Sequence, residues 1–197
     1  MIEEQLAEMA RHDVPADWQV ARPTRNTPKF DVQAALIKMT GVDLTAIDGI
    51  GLGTALVILS EVGDDLSKFP SGKHFASWAG VAPGTRITGG KVISGKIPQS
   101  HNRVGQALRL AASSLKHSNS AMGAYYRRMC ARLGKKSGIV ATAHKLARIV
   151  YALLTKGQDY VDAGQKAFEE VQKKRALRNL ERRAKELGYA LTPAPAH

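Results

Sequence analysis

Three glycines stand directly in front of an apolar helical run in residues 46–63, AIDGIGLGTALVILSEVG. They are Gly49, Gly51 and Gly53, with Ile50 between the first two. A glycine costs a helix about 1 kcal/mol relative to alanine, so a cluster of glycines at a helix start needs a compensating role. Glycines permit a tight turn, and they let a phosphate approach the unpaired N–H groups at the N-terminus of the new helix. This stretch therefore predicts contact with phosphate groups.

The residues around these glycines follow the pattern of a helix-hairpin-helix motif. A short helix over residues 44–47 precedes the turn, and a second helix over residues 52–62 follows it, with Ala55 four residues after Gly51. Ile50 is expected to fill the core between the two helices. Such a motif contacts the backbone of a nucleic acid and not its bases. An ordinary helical corner is the alternative explanation of the same glycines.

The positive charge of the chain is concentrated in its middle. The 197 residues include 29 Lys and Arg against 17 Asp and Glu, a formal net charge of +12. Residues 66–158 contain 16 of these basic residues and no Asp or Glu. This acid-free block predicts a surface that binds a polyanion, with a basic solvated face as the alternative. It also lacks the carboxylates of Mg²⁺-dependent nucleases, and we predict no metal site in this chain.

Residues 81–100, VAPGTRITGGKVISGKIPQS, differ in kind from the helical segments around them. Their glycines and β-branched residues predict a loop, which is either irregular throughout or contains a small β-hairpin. A segment of this length inside a compact domain is usually functional or disordered. Its basic residues favour function, and the glycines allow DNA to come close. The predicted nucleic-acid-binding residues of this region are Arg86, Gly89, Gly90, Lys91 and Lys96, joined by Arg103 and Arg109 of the next helix.

Helices must position these candidates. Apolar residues recur with helical spacing over residues 30–39, 52–62, 104–115 and 139–153, and a further helix ends at Gly134. We predict a mainly α fold, with a helix-hairpin-helix, a Gly-rich loop insert and a charged C-terminal helix. Its predicted parts are a connector helix and linker over residues 1–29, a helical domain over 30–160 and a charged tail over 161–197. The tail fits either a coiled-coil seam or a solvated single helix.

Composition limits the setting of the protein. The single cysteine, Cys130, excludes an internal disulfide and a Cys-pair zinc site, and it suits a reducing cytoplasm. No apolar run approaches the roughly 20 residues that a membrane span needs. The first twenty residues also lack a basic region followed by an apolar core. We therefore expect a cytoplasmic protein without a membrane partner.

Five ordered blocks of the sequence resemble one family over about residues 30–188. They are LTAIDGIGLGTALVILSEVG, KHFASWAGVAPGTRITGGKVISGK, NRVGQALRLAASSL, SAMGAYYRRMCARLG and AHKLARIVYALLTKGQDYV. This order is similar to the C-terminal half of insertion-sequence transposases of the IS110 (IS116/IS110/IS902) family. The resemblance implies a bacterial, nucleoid-associated DNA recombinase that binds DNA and a structured guide RNA and is a homo-oligomer in its full-length form. A non-catalytic helix-hairpin-helix module that binds nucleic acid is the alternative function.

The resemblance is incomplete at the metal site of the family. Members join an N-terminal RuvC-like domain, which holds Mg²⁺ on an Asp-Glu-Asp-Asp tetrad, to the part that is similar to this chain. Asp13, Asp31 and Asp43 do not match the motifs of that tetrad. We therefore expect a truncated chain that is inactive alone, with no cofactor of its own and Mg²⁺ only together with the missing domain.

The resemblance also implies a hydroxyl nucleophile. The catalytic serine of the family precedes a glycine after an AGxxP segment, and the matching residue is Thr88; Ser94 matches less well and is the second candidate. Attack on a phosphodiester needs nearby cations to offset charge on the phosphorus oxygens, and the loop carries them. The extra methyl group of threonine restricts its side chain, so we expect a slow or inactive nucleophile. A hydroxyl that only satisfies the loop backbone is the alternative.

Four further residues carry weaker signals. Tyr125 and Tyr126, beside Arg127 and Arg128, predict stacking on bases, a tyrosine nucleophile, or the packing of one ring in the core. His101 and His144 are candidate phosphate donors, with an incidental place on a helix surface as the alternative.

Overall fold

The computed structural model describes residues 7–15, 30–83, 86–94 and 101–192, and it divides the chain into two compact units, Met1–Gln158 and Asp159–His197. The described residues are mainly helical, which confirms the predicted fold class. The helices are α1 (Val32–Thr40), α2 (Leu52–Val62), α3 (Gly72–Trp78), α4 (Arg103–Ser114), α5 (Ala121–Leu133), α6 (Lys135–Lys156) and α7 (Gln158–Glu186). Strands β1 (Arg86–Thr88) and β2 (Lys91–Ser94) form an antiparallel pair, and 3-10 turns span Leu44–Ala46 and Leu115–His117.

Short polar side chains fix where three of the helices begin. Asp31 accepts a hydrogen bond from the Ala34 N–H at the start of α1. Asn102 caps α4 and Ser120 caps α5 in the same way, each through the backbone N–H three residues further on. These caps satisfy N–H groups that a helix leaves unpaired in its first turn.

The core of the first unit lies between α2, α3, α4, α5 and α6. Helix α4 packs against α2 and α6, while α3 and α5 pack against α6. Burial of a large apolar side chain contributes about 1.5–3 kcal/mol, so these contacts set the stability of the unit. The largest fully buried side chains include Ile58, Phe75, Val104, Leu108, Leu115, Leu146, Val150 and Leu153.

Helices α2 and α4 run antiparallel. The backbone of Gly49, just before α2, lies against Ala111 and Leu115 at the end of α4. At the other end, the Arg103 guanidinium of α4 lies 2.8 Å from the Glu61 carboxylate of α2.

Helices α5 and α6 form an antiparallel hairpin around the single residue Gly134. Gly138 packs on Cys130 near the connection, and Lys145 lies over Tyr125 further along. A Cβ atom on Gly138 would come within 2.6 Å of the Cys130 Sγ and 2.7 Å of its Cα. The absence of a side chain at Gly138 therefore lets the two helices approach closely.

Three contacts join the end of α3 to α4. The Asn102 side chain donates to the Trp78 carbonyl at 3.2 Å, and the Arg109 guanidinium donates to the Gly80 carbonyl at 2.6 Å. Gly105 lies against the Ala79 carbonyl, with no room for a Cβ. We call these contacts the clasp, because they close the base of the segment that contains β1 and β2.

The second unit contains most of α7. Its side chains described between residues 173 and 187 are nearly all exposed, among them Leu177 (48%) and Leu180 (55%). Arg182 lies 3.8 Å from Glu186, one turn further along. Both alternatives for the tail, a coiled-coil seam and a solvated helix, fit this pattern. Among the residues described, no helix is long and apolar enough to cross a membrane.

Candidate nucleic-acid interface

The turn before α2 is built on a buried isoleucine. Ile50 is only 3% exposed, and its N–H donates to the Ile47 carbonyl at 2.9 Å. Gly49 has φ of +87°, a backbone conformation that L side chains rarely adopt, so this position favours glycine. The preceding residues Leu44–Ala46 form a 3-10 turn that Asp43 caps through the Thr45 N–H. Ile50 is thus buried, and in the chain it lies between this short turn and α2.

The glycines of this turn divide into two kinds. A Cβ on Gly49 would lie 2.9 Å from the Ala111 carbonyl oxygen and 2.9 Å from the Leu115 Cγ, so this glycine serves close packing against α4. Gly51 and Gly53 are exposed, and among the described residues a Cβ on either would meet nothing within 4 Å beyond the adjoining backbone. Only these two glycines leave the first turn of α2 open to an approaching group.

The first turn of α2 has the features of an anion site. Gly51 is its N-cap, makes no side-chain cap hydrogen bond, and has no acidic residue after it in the turn. The N–H groups of such a turn carry a partial positive charge. Exposed Lys116 and His117 directly follow Leu115, whose side chain contacts Gly49. Sequence reasoning did not select Lys116 as a site residue, because only the antiparallel packing of α2 and α4 places it at this end.

The two strands form a tight hairpin that places the candidate nucleophile opposite a lysine. Gly89 and Gly90 have φ of +55° and +75°, values typical of a two-residue type I′ turn. Thr88 pairs with Lys91 across this turn, and both residues are exposed. Directly paired residues of an antiparallel ladder project on the same face, about 5 Å apart at Cβ. The hairpin therefore brings a hydroxyl and an ammonium group to one side of its tip.

The remaining loop candidates are described in part. Arg86 pairs with Ser94 in the strand register, and the register is irregular between Arg86 and Ile87. The backbones of Arg86 and Ser94 are described without their side chains, and Lys96 lies outside the described residues.

The two arginines of α4 already have protein partners. Arg103 forms an exposed ion pair with Glu61, and Arg109 donates to the Gly80 carbonyl from a half-buried position. The packing role of Arg109 was not evident in the sequence, since its partner lies 29 residues away.

The two tyrosines of α5 differ in their surroundings. Tyr126 is buried at 4%, which confirms that one ring packs in the core, and burial together with the Cys130 side chain raises its pKa. Tyr125 is half-buried, and the Lys145 ammonium lies 4.6 Å from its ring centroid.

The two histidine candidates also differ in exposure. His101 is exposed, whereas His144 is half-buried on α6. Burial and the nearby Arg148 lower the pKa of His144.

The donor set near this interface does not fit a Mg²⁺ site. Residues 66–158 contain no carboxylate. Within the described ranges, no group of three or more His, Cys, Asp or Glu side chains is placed to hold a metal ion. Mg²⁺ in proteins is held chiefly through carboxylate oxygens, so these residues do not fit a Mg²⁺ ion.

Comparison with known proteins identifies the family of this region. The chain is 35% identical over 120 residues to an insertion element IS110 protein of 43.6 kDa from Streptomyces coelicolor. This match covers 59% of this chain and 29% of that protein. It is 32% identical over 127 residues to y4pF/y4sB of Sinorhizobium fredii, a protein whose name calls it a transposase. This match covers 61% of this chain and 32% of that protein. It is 29% identical over 122 residues to a probable family 20 transposase of Pseudomonas aeruginosa, and this match covers 59% of this chain and 36% of that protein.

The chain therefore spans about a third of the length of the curated relatives it matches. The sequence model of the transposase IS116/IS110/IS902 family matches residues 30–127. This range includes residues 49–53 at the start of α2, which we call the α2 turn, together with the hairpin, the clasp and about half of α5. Residues 30–127 of this chain belong to the transposase IS116/IS110/IS902 family.

Proposed function

We propose that this chain is the nucleic-acid-binding, strand-exchange part of a transposase. In this proposal the α2 turn binds the sugar-phosphate backbone of DNA, and the hairpin presents the Thr88 hydroxyl to a phosphodiester. The observation that carries the proposal is the pair of open glycines, Gly51 and Gly53, at the N-terminus of α2 above the buried Ile50. The family of residues 30–127 supports DNA as the ligand.

The binding step follows from the geometry of the turn. Backbone N–H groups at a helix N-terminus donate to phosphate oxygens, and a β-carbon on either open glycine would lie in the path of the phosphate. Lys116 adds charge at the same end of α2 and α4. These groups contact the backbone of a strand and carry no information about its bases. A structured RNA offers the same phosphates, so a guide RNA is proposed as a second ligand.

The proposed chemical step takes place at the tip of the hairpin. The Thr88 oxygen bonds to phosphorus, the bond from phosphorus to the oxygen of the departing strand breaks, and the hydroxyl proton ends on that oxygen. The Lys91 ammonium, on the same face, offsets the negative charge that builds on the phosphorus oxygens. The exposed Gly89 and Gly90 let the DNA backbone come near the hydroxyl.

A non-catalytic binding module is the second candidate function. Two observations favour it: the candidate nucleophile is a threonine, whose methyl group crowds attack, and the acid-free block offers no carboxylate. In this case the α2 turn binds nucleic acid and Thr88 has no covalent role.

The binding proposal is tested by placing a carboxylate at the open glycines. We expect Gly53→Glu and Gly51→Asp to lower the affinity for a 20-base-pair duplex at least about tenfold, because the carboxylate repels the phosphate. Both variants should remain folded, since in the described part of the chain nothing beyond the adjoining backbone lies within 4 Å of the new Cβ. Ser60→Glu, which adds the same charge at an exposed position near the other end of α2, is the matched control. Equal losses in all three variants would rule out the turn as the contact point.

The dependence on salt provides a second test of binding. A protein that contacts six to ten phosphates loses about 10³ to 10⁵ in affinity between 50 and 200 mM salt. Fluorescence anisotropy across this range should show a steep fall for both duplex DNA and RNA. An affinity that does not change with salt would contradict a backbone-binding surface.

The catalytic proposal is tested by trapping a covalent protein–DNA adduct. The chain is mixed with labelled DNA carrying transposon ends and with a RuvC-like domain of the family supplied separately, and adducts are resolved by denaturing electrophoresis. We expect an adduct that Thr88→Ala abolishes and Thr88→Ser retains or increases. DNA binding without any adduct, in the parent chain and in Thr88→Ser alike, would favour the binding module.

A further inference from the structure

Trp78, the last residue of α3, is the most exposed of four aromatic side chains that pack together beside the clasp. Its ring centroid lies 5.3 Å from that of Phe69 and 5.9 Å from that of Phe75, and its plane is within 23° of the Phe75 plane. Phe69 and Phe75 are buried, whereas Trp78 is 40% exposed. The core therefore holds one part of the indole, and the remainder lies at the surface.

The rings beneath Trp78 are fixed in place. Phe69 meets Phe75 edge to face at 5.3 Å, and the Tyr151 hydroxyl of α6 donates to the Phe69 carbonyl at 2.8 Å. The Trp78 backbone is held as well, because its carbonyl accepts the Asn102 side chain of the clasp. An indole that is already ordered loses little conformational freedom when a second flat ring stacks on it.

The surroundings of Trp78 favour a ligand that carries negative charge. His74 is exposed and lies four residues before Trp78, so both side chains are on one face of α3, and Lys73 beside it is also exposed. The Lys68 ammonium lies 5.4 Å from the centroid of the Phe69 ring, which itself contacts Trp78. A cation next to an aromatic surface suits a ligand that combines phosphates with flat rings.

The acidic residues that precede this region in the sequence are engaged within the protein. Asp64 forms an ion pair with Arg11 at 2.9 Å. The Asp65 carboxylate accepts hydrogen bonds from the N–H and the hydroxyl of Ser67. From residue 66 to residue 158 the sequence has no further Asp or Glu.

We propose that Trp78 is a stacking platform for a nucleobase of a single-stranded nucleic acid. Among the described residues of the first unit, it is the only Phe, Tyr or Trp side chain that is exposed. Bases in a duplex stack on one another, whereas an unpaired base offers its face to an aromatic side chain whatever its identity. The platform lies at the base of the segment that contains β1 and β2, so it serves a strand separated for exchange near Thr88. Only the nature of the ligand as a nucleic acid rests on the proposed function.

Tryptophan fluorescence tests the stacking directly, because the chain has only two tryptophans. The other one, Trp18, lies outside the described residues, and Trp18→Phe leaves Trp78 as the single emitter. This variant is titrated with a labelled 20-nucleotide thymidine oligomer and with an abasic oligomer of equal length and charge, while anisotropy of the label reports binding. We expect the thymidine oligomer to quench Trp78 with the midpoint of its binding curve. The abasic oligomer should bind at least about fivefold more weakly and leave the emission unchanged.

Variants of Trp78 provide the second test. Trp78→Leu keeps an apolar contact with Phe75 but removes the flat ring, so we expect it to lose at least about fivefold in affinity for the thymidine oligomer. Its affinity for a 20-base-pair duplex should stay within about twofold, because paired bases do not reach the platform. Trp78→Phe should bind the oligomer within about threefold of the parent chain, since it retains an aromatic face.

Tyr189→Leu is the matched control, because it removes an exposed aromatic side chain from the second unit. A loss of oligomer affinity in Trp78→Leu no larger than in Tyr189→Leu, with unchanged helical circular dichroism, would overturn the proposal. If Trp78→Leu does not fold, quenching of the unaltered Trp78 decides the question.

The outcomes separate this inference from the proposed function. Binding of the duplex without quenching by the thymidine oligomer would refute the platform and leave the proposed function standing. Quenching by the thymidine oligomer without duplex binding would support the platform and contradict the α2 turn as a DNA contact. Equal quenching by the abasic oligomer would refute a base as the group that reaches Trp78.

Discussion

Thr88 and Lys91 lie directly opposite each other at the two ends of the Gly89–Gly90 turn. The first residue offers an exposed hydroxyl and the second an exposed ammonium, on the same face of a two-stranded ladder. No third element is needed to bring them together, because the turn itself fixes the pairing.

This pairing predicts a charge-specific effect of Lys91. We expect Lys91→Gln to slow adduct formation about tenfold, less than the loss of a buried oxyanion donor because the site is exposed, while Lys91→Arg retains most of the rate. Lys38→Gln, an exposed lysine of α1, serves as the control in the same electrophoretic assay. A rate that is unchanged in Lys91→Gln would exclude its role in the reaction.

The glycines of the α2 turn should differ in their effect on stability. Gly49→Ala forces a Cβ against the Ala111 carbonyl and Leu115 at a φ of +87°, so we expect a loss of about 2–4 kcal/mol in the free energy of unfolding. Gly51→Ala, at an ordinary φ of −88° and in open space, should change it by less than about 1 kcal/mol. Urea titration followed by circular dichroism measures both. Similar losses would contradict the division into a packing glycine and open ones.

The contact between Gly138 and Cys130 predicts a second destabilising glycine. Gly138→Ala should cost about 2–3 kcal/mol, because the new Cβ meets the Cys130 Sγ, Cα and N within 2.7 Å. Cys130→Ala should fail to rescue this variant, since backbone atoms of Cys130 are as close as its sulfur. A full rescue in thermal unfolding would show that the side chain alone sets the helix spacing.

Arg109 is expected to act on stability more than on binding. Its guanidinium donates to the Gly80 carbonyl at 2.6 Å, and Arg109→Met leaves this carbonyl without its charged donor, at a cost of about 1–2 kcal/mol. Arg103→Met, which removes an exposed ion pair, should cost at most about 1 kcal/mol. Chemical unfolding of both variants gives the comparison, and the reverse order would contradict the clasp.

Lys145 predicts a rise of stability with pH. Its pKa in the folded chain is about 8, below the ordinary value of 10.5, so the unfolded chain binds more protons between these values. The free energy of unfolding therefore increases as pH rises through about 8. Below that pH the cost of holding the charged Lys145 ammonium in the folded chain is fully present. After allowance for solvent screening at this half-buried site, we expect an increase of about 1 kcal/mol.

This pH effect is checked by urea unfolding between pH 7 and 9.5, below the range where most tyrosines ionise. Lys145→Gln should flatten the profile and be more stable at pH 7, whereas Lys135→Gln, at an exposed position of α6, should follow the parent chain. Parallel profiles for the parent chain and Lys145→Gln would contradict the assignment to Lys145.

The helices could be predicted because their signals are local. The stripe over residues 104–115 matches α4 (Arg103–Ser114), and Gly134 ends α5 as predicted. The predicted helix over residues 44–47 is a 3-10 turn at Leu44–Ala46, since so short a segment, capped by Asp43, closes only one tight turn. The spacing of apolar residues and the capping residues thus predict the positions of most of the helices.

The roles of single site residues depend on distant partners and could not be predicted. The glycine pattern does not say that Gly49 packs on α4 while Gly51 and Gly53 stay open, because Ala111 and Leu115 are about sixty residues away. In the same way, Tyr125 and Lys145 are twenty residues apart and meet only through the α5–α6 hairpin. Contacts between residues so far apart in the sequence can be identified only from the tertiary structure.

The clasp between residues 78–80 and α4 makes the intervening segment modular. Because its two ends are fixed to each other by Asn102, Gly105 and Arg109, exchanging the chain between them changes mainly the loop-closure entropy, by about 0.6 kcal/mol for each doubling of length. The helical framework can accept a hairpin of different sequence, or a short linker in its place, and still fold. Variation in the sequence of this segment and preservation of the helical scaffold are in this way separate problems, both for natural selection and for a protein engineer.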